Sequence, residues 1–195
     1  MEKIRYGTKD IMATLAGAVV FVVLNWLQLY MMDAKILPVE TLSWIQFRVL
    51  AVAVVAVFFG PISGAICGLG GDLLVNAIFD SFISYPEVLS LGLYGFLMGT
   101  YYGRWHYNRR GFTPRDFVDF NVISVMAGIV CAEFLVPLAA FFFEDRDIYE
   151  SLQTGAKSVV GNSILVGIVC SVLMGIVVGV RGRRMRREKA AVSRF

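Results

Sequence analysis

At 195 residues the chain has the length of one domain, yet 57% of it is hydrophobic, only 17% is charged, and its mean hydropathy is +0.69. A soluble globular domain is about a quarter charged, so this balance excludes an ordinary water-soluble fold and predicts an all-α integral membrane protein. The net charge of +3 is small, and its meaning lies in where the cations sit.

Six apolar segments reach the roughly 17–25 residues that cross a bilayer. They predict a bundle of six transmembrane helices in a single membrane domain, over 11–30, 42–59, 61–79, 88–106, 117–143 and 156–180. Lys3, Arg5 and Lys9 precede the first segment as they would in a secretory signal, but no small-residue cleavage site follows, so it is read as an uncleaved span. Gly60-Pro61 joins the second and third spans as a tight turn, glycine permitting the bend and proline suiting a helical first turn. Cys67, Cys131 and Cys170 are odd in number and lie within apolar runs, which suits small packing residues and no disulfide framework.

Lys and Arg are concentrated before span one, between spans four and five, and after span six. The positive-inside rule then predicts that both termini are cytoplasmic, in a multi-pass protein of the cell membrane. RGRRMRREK opens a basic cytoplasmic tail over 181–195. It reads as a charge cluster at the membrane surface, attracted to anionic headgroups, and requires no nucleic acid.

The third span carries the densest pattern. Gly60, Gly64 and Gly68 recur every four residues and form a smooth stripe for close helix packing, while Asp72 lies near mid-span, paired with Arg48 or facing a pocket. With the orientation fixed, other embedded polar residues fall at similar, outer depth: Asn25 and Gln28 on span one, Arg48 on span two, Asn76 and Asp80 on span three, Tyr94 on span four, Glu133 on span five, Lys157 and Asn162 on span six. Singly, each has an ordinary explanation in interhelical hydrogen bonds, snorkelling or capping. Together they predict an outward-facing polar pocket above an apolar half, because a carboxylate in hydrocarbon needs a partner or a wet cavity. Tyr85, with Tyr30, Trp44 and Tyr149, forms an interfacial belt or lines the mouth against a flat ligand.

Catalytic patterns are poor. The one histidine, His106, falls at the inner end of span four, no phosphate-binding GxxxxGK[ST] is present, and no His/Cys/Glu cluster has metal spacing. No cofactor is called for. The readings left are a binding subunit, a self-sufficient small secondary transporter or channel, and, third, a membrane enzyme.

FFGPISGAICGLGGDLL resembles the third-helix signature, FGPxxGxxxGxxxD, of the substrate-binding S components of energy-coupling factor (ECF) transporters. GTKDIMATLAGAVVF resembles the family's first helix and RDFVDFNVISVMAG its fifth. The resemblance covers nearly the whole chain and is closest to the riboflavin-type branch. It implies high-affinity capture of a vitamin or related micronutrient from outside, and delivery inward with a T component and two ATP-binding subunits. It also implies that the first-helix small-residue patch, here Ala13, Ala16, Gly17 and Ala18, contacts the T component, although glycine stands where the family's second alanine is usual. Packing inside the monomer is the competing use of that patch. Riboflavin, a queuosine-type base or nucleoside, a thiamine precursor and cobalamin all stay open as ligands, the tyrosines favouring a flat heteroaromatic one.

Overall fold

A computed structural model describes residues 8–36, 44–79, 84–101, 113–143 and 147–192, and every regular element among them is helical. The helices are α1 (Thr8–Asp33), α2 (Phe47–Phe59), α3 (Pro61–Phe79), α4 (Tyr85–Gly99), α5 (Pro114–Gly128), α6 (Val136–Phe143) and α7 (Ile148–Val192), with a π-helical stretch, Ile129–Leu135, joining α5 to α6. Four stretches are long and apolar enough to cross a membrane: Asp10–Asp33, Pro61–Phe79, Arg115–Ala139 and Ile148–Val180. The outer face of α1 leaves Met12, Leu15, Val19, Val23 and Trp26 exposed, apolar surface that hydrocarbon accommodates and water does not.

The second and fourth expected spans are shorter as helices, 13 and 15 residues. The start of α2 has a physical cause. The Gln28 side chain accepts from the Phe47 N–H at 2.9 Å and donates to the Ile45 carbonyl at 2.8 Å, while the Gln46 N–H donates to Asn162 Oδ1 at 2.7 Å. Side chains of α1 and α7 thus satisfy amides that a helix leaves orphaned at its first turn, so the helix begins at Phe47 and not at the expected Leu42, which lies outside the described residues. Two boundaries move the other way. Thr113 and Asp116 form a capping box ahead of Pro114, and Asp147 accepts from the Tyr149 and Glu150 amides at 2.8 and 3.0 Å. The sixth helix therefore starts at Ile148, eight residues before the expected 156, and runs on through most of the basic segment to Val192.

α3 and α4 run antiparallel, Gly64 facing Gly95 and Pro61 facing Gly99, while α5, the π stretch and α6 form one continuous path. α2 is the central one, packed against α1, α3, α4 and α7, and it buries Val49, Ala51, Val52, Ala53, Val55, Ala56 and Val57, the composition of a helix covered all round. Gly60 ends it at φ 99°, a left-handed conformation that favours glycine, and its N–H donates to the Ala56 carbonyl. A Cβ on Gly64 would meet Ala56 and the Gly95 carbonyl, one on Gly68 the Leu91 carbonyl, and one on Gly99 the backbone of Pro61. The glycine stripe of α3 thus lies backbone to backbone on α4, whose own glycines complete the seam. Cys67, Cys131 and Cys170 are buried, unbridged packing residues.

Candidate functional site

One end of the bundle gathers the last turns of α1, α3 and α6 and the first turns of α2, α4 and α7. There a cavity of about 530 Å³ opens between α2, α4, the α5–π–α6 path and α7, a size that suits a small organic molecule.

The start of α2 contributes Gln46, Arg48 and Val49, and α4 contributes Glu87, Ser90, Leu91 and Tyr94. Positions 87, 90, 91 and 94 share one helical face. α7 supplies two adjacent rows at fourfold spacing: Glu150, Thr154, Ser158 and Asn162, then Ser151, Gly155, Val159 and Ser163. Asp147 lines the mouth just before the helix.

The fourth wall has an unusual backbone. Pro137 has no N–H to give the Glu133 carbonyl, and its ring crowds that oxygen. The preceding turn widens, and the Val136 N–H reaches back to the Cys131 carbonyl, five residues earlier. Cys131, Ala132 and Val136 face the cavity from this stretch. Gly155 of α7 is pressed onto it so closely that a Cβ there would strike the Ala132 carbonyl.

Arg48 is the electrostatic centre. Its guanidinium donates to Asp72 Oδ1 at 2.6 Å and to Glu87 Oε2 at 3.2 Å; Asp72 is fully buried and Glu87 is partly exposed. A buried carboxylate on α3 is thereby joined to a partner at the cavity wall, as its burial requires. Asn162 ties α7 to α2 through Gln46 and donates to Ser158 Oγ at 2.9 Å. The Tyr94 hydroxyl stands 3.5 Å from Ser124 Oγ of α5.

Among the expected site residues, the structure brings Arg48, Tyr94 and Asn162 into the lining. It places Asn25 and Gln28 on α1 behind α2, and Asn76 buried on α3. Lys157 lies on the outer side of α7, its Nζ 5.1 Å from the centre of the Trp44 ring. Glu133 sits on the π stretch behind the lining, its Oε2 buried, without a hydrogen-bond partner among the described residues, and close to Gly155. Tyr85 and Tyr149 are 68% and 76% exposed outside the lining, and Asp80 lies outside the described residues. Four walls, not six helices, build the cavity. On the first helix, Gly17 is buried against Val55 and Cys67, so its small size serves the monomer, while Ala16 faces outward and Ala13 and Ala18 are half-buried.

Sequence reasoning passed over Glu87, Ser90, Asp147, Glu150 and the serine-threonine rows of α7. The fourfold spacing of 150, 154, 158 and 162 was the signal that would have found the last group.

The family model described as the S component of ECF-type riboflavin transporters matches residues 5–180. Curated relatives include the UPF0397 protein of Streptococcus agalactiae serotype Ia, 26% identical over 85% of this chain and 88% of its own length. The UPF0397 protein of Streptococcus pneumoniae serotype 19F is 26% identical over 89% and 87%, and that of Streptococcus gordonii 26% over 87% of each. No solved structure matches the chain.

Proposed function

This chain belongs to the family of S components of ECF-type riboflavin transporters, membrane transport subunits and not enzymes, and from that premise we propose how it works. It is a single membrane domain of six spans in the cell membrane, with both termini and the basic tail over 181–195 cytoplasmic. It captures a small-molecule micronutrient from outside in the cavity between α2, α4, α5–α6 and α7, and passes it inward with a T component and two ATP-binding subunits. Ala16, with Ala13 and Ala18 beside it, is its contact with the T component.

The observation that carries this reading is the 530 Å³ cavity at one end of the bundle, lined by polar and apolar side chains together. Two further facts support it. Most cations flank the opposite end in sequence, which puts the cavity mouth outside by the positive-inside rule. The other half is packed with Val, Ala, Met and Phe, including Val57, Met98, Phe120 and Met174, all buried, so the described residues beneath the cavity form an apolar core.

Vesicles test the proposal. Protein reconstituted alone should bind its ligand without accumulating it, and accumulation should appear only with the T component, the ATPases and ATP. Ala16→Trp should block assembly of that complex and leave binding intact. Uptake by the protein alone at the rate of the full complex would establish the self-sufficient transporter instead.

A further inference from the structure

The charge of the cavity narrows the class of molecule it holds. Among the described residues, three carboxylates, Glu87, Asp147 and Glu150, line it against one guanidinium, that of Arg48. Arg48 cannot offset all three, because Asp72 already holds it from behind at 2.6 Å and Glu87 engages its other nitrogen at 3.2 Å. Lys157, the remaining described cation on this part of α7, sits over Trp44 outside the lining. The first turns of α4 and α7 each contribute roughly half a positive charge. With those counted the described part of the site is still negative.

Helix capping explains part of this acidity. Asp147 caps α7, and an acid in a first turn complements the helix dipole. Capping does not explain why acids from two separate helices, Glu87 and Glu150, face the same space.

An independent observation lies one turn below Glu87. Ser90 is 7% exposed and lines the cavity, yet its hydroxyl makes no hydrogen bond to any described residue. A hydroxyl aimed into the cavity and unmatched by the described residues is left for a polar occupant to meet. A neutral occupant seated against the carboxylates gains no charge attraction and costs them part of their hydration, whereas a positive one is attracted.

We propose that the cavity binds a cationic small molecule, one bearing a protonated amine or amidine or a permanently charged ring nitrogen. Glu87 and Glu150 read its charge, and Ser90 meets its polar edge. The inference rests on the binding-subunit reading above and goes beyond it by naming the ligand's charge.

The test uses the full chain in lipid nanodiscs, equilibrated with the small-molecule fraction of a bacterial extract, washed, and released into a mass spectrometer that identifies what was retained. The expected result is a compound positively charged at neutral pH. Its retention should fall about tenfold or more, at least the equivalent of one lost charge contact, in the double variant Glu87→Gln/Glu150→Gln, which removes two. Glu150→Gln alone, at an exposed position that the fold does not need, should weaken it in the same direction. Asp119→Asn, which removes a carboxylate from the far end of α5, should retain it fully. Retention of a neutral or anionic compound, or of a cation indifferent to both glutamates, overturns the charge assignment while leaving the binding subunit standing. A wild-type protein that retains nothing overturns both.

Discussion

The seam between α3 and α4 and the wall between the π stretch and α7 both depend on glycine, and they use it to opposite ends. Along the seam, Gly64, Gly68, Gly95 and Gly99 bring two backbones together at successive turns, leaving no space between the helices. At the wall, one glycine, Gly155, touches one carbonyl, that of Ala132, beside the widened turn. The cavity opens next to this contact. In a bilayer, where apolar burial gives helices little reason to associate, close backbone contact fixes half the bundle and lets the other half carry an opening.

The sharpest way to break this comparison is to fill the seam. Gly64→Leu or Gly95→Leu drives a side chain into a facing backbone that cannot retreat unless the helices part. Overpacking of this kind costs about 3 kcal/mol or more, a large share of a marginal stability. We expect no monodisperse protein on gel filtration in detergent. Gly175→Leu, where a Cβ meets nothing within 4 Å, should behave as wild type. Equal yields from Gly95→Leu and Gly175→Leu would erase the distinction between seam and open surface.

Asp72 joins the two regions, standing on the seam helix and holding a cavity residue. Asp72→Asn leaves Arg48 with Glu87 alone and should lower stability by about 3 kcal/mol, the usual penalty for removing one partner of a buried pair. The thermal midpoint in detergent reads this. Because the penalty is mostly that of the abandoned charge, Arg48→Met combined with Asp72→Asn should cost less than the two changes added together. Simple additivity would mean that the pair is not the link.

The seam was legible in the sequence because a fourfold glycine repeat has few uses in an apolar helix, and the Gly60-Pro61 turn fixed its register. Only its partner was hidden: Gly92, Gly95 and Gly99 are spaced less regularly, and antiparallel register depends on tertiary contact. The cavity was legible in depth but not in direction. Depth follows from position along a span, which places Arg48, Tyr94 and Asn162 together. It does not say which way a side chain points, so Gln28 and Lys157 were grouped with them although one caps α2 and the other faces Trp44. The first two turns of α7 were read as a loop because Asp147, Glu150 and Ser151 are polar. That polarity belongs to the lining.

Pro137 offers the finest test, since it should move the cavity while hardly touching stability. Alanine restores the missing N–H, relieves the ring's crowding of the Glu133 carbonyl, and allows 129–135 to close into an α-helix. One regained hydrogen bond is worth about 1 kcal/mol, so the thermal midpoint should hold or rise slightly. Returning one residue to the helical register turns the preceding side chains by about 100°, which carries Cys131 and Ala132 out of the lining and brings the chain against α7. Ligand affinity, measured by titration calorimetry with whatever compound co-purifies, should then fall about tenfold or more. A fall in affinity with stability kept would show that the widened turn exists to shape the cavity. A loss of stability with affinity kept would make it a packing solution of the bundle, and the two walls would differ in geometry alone.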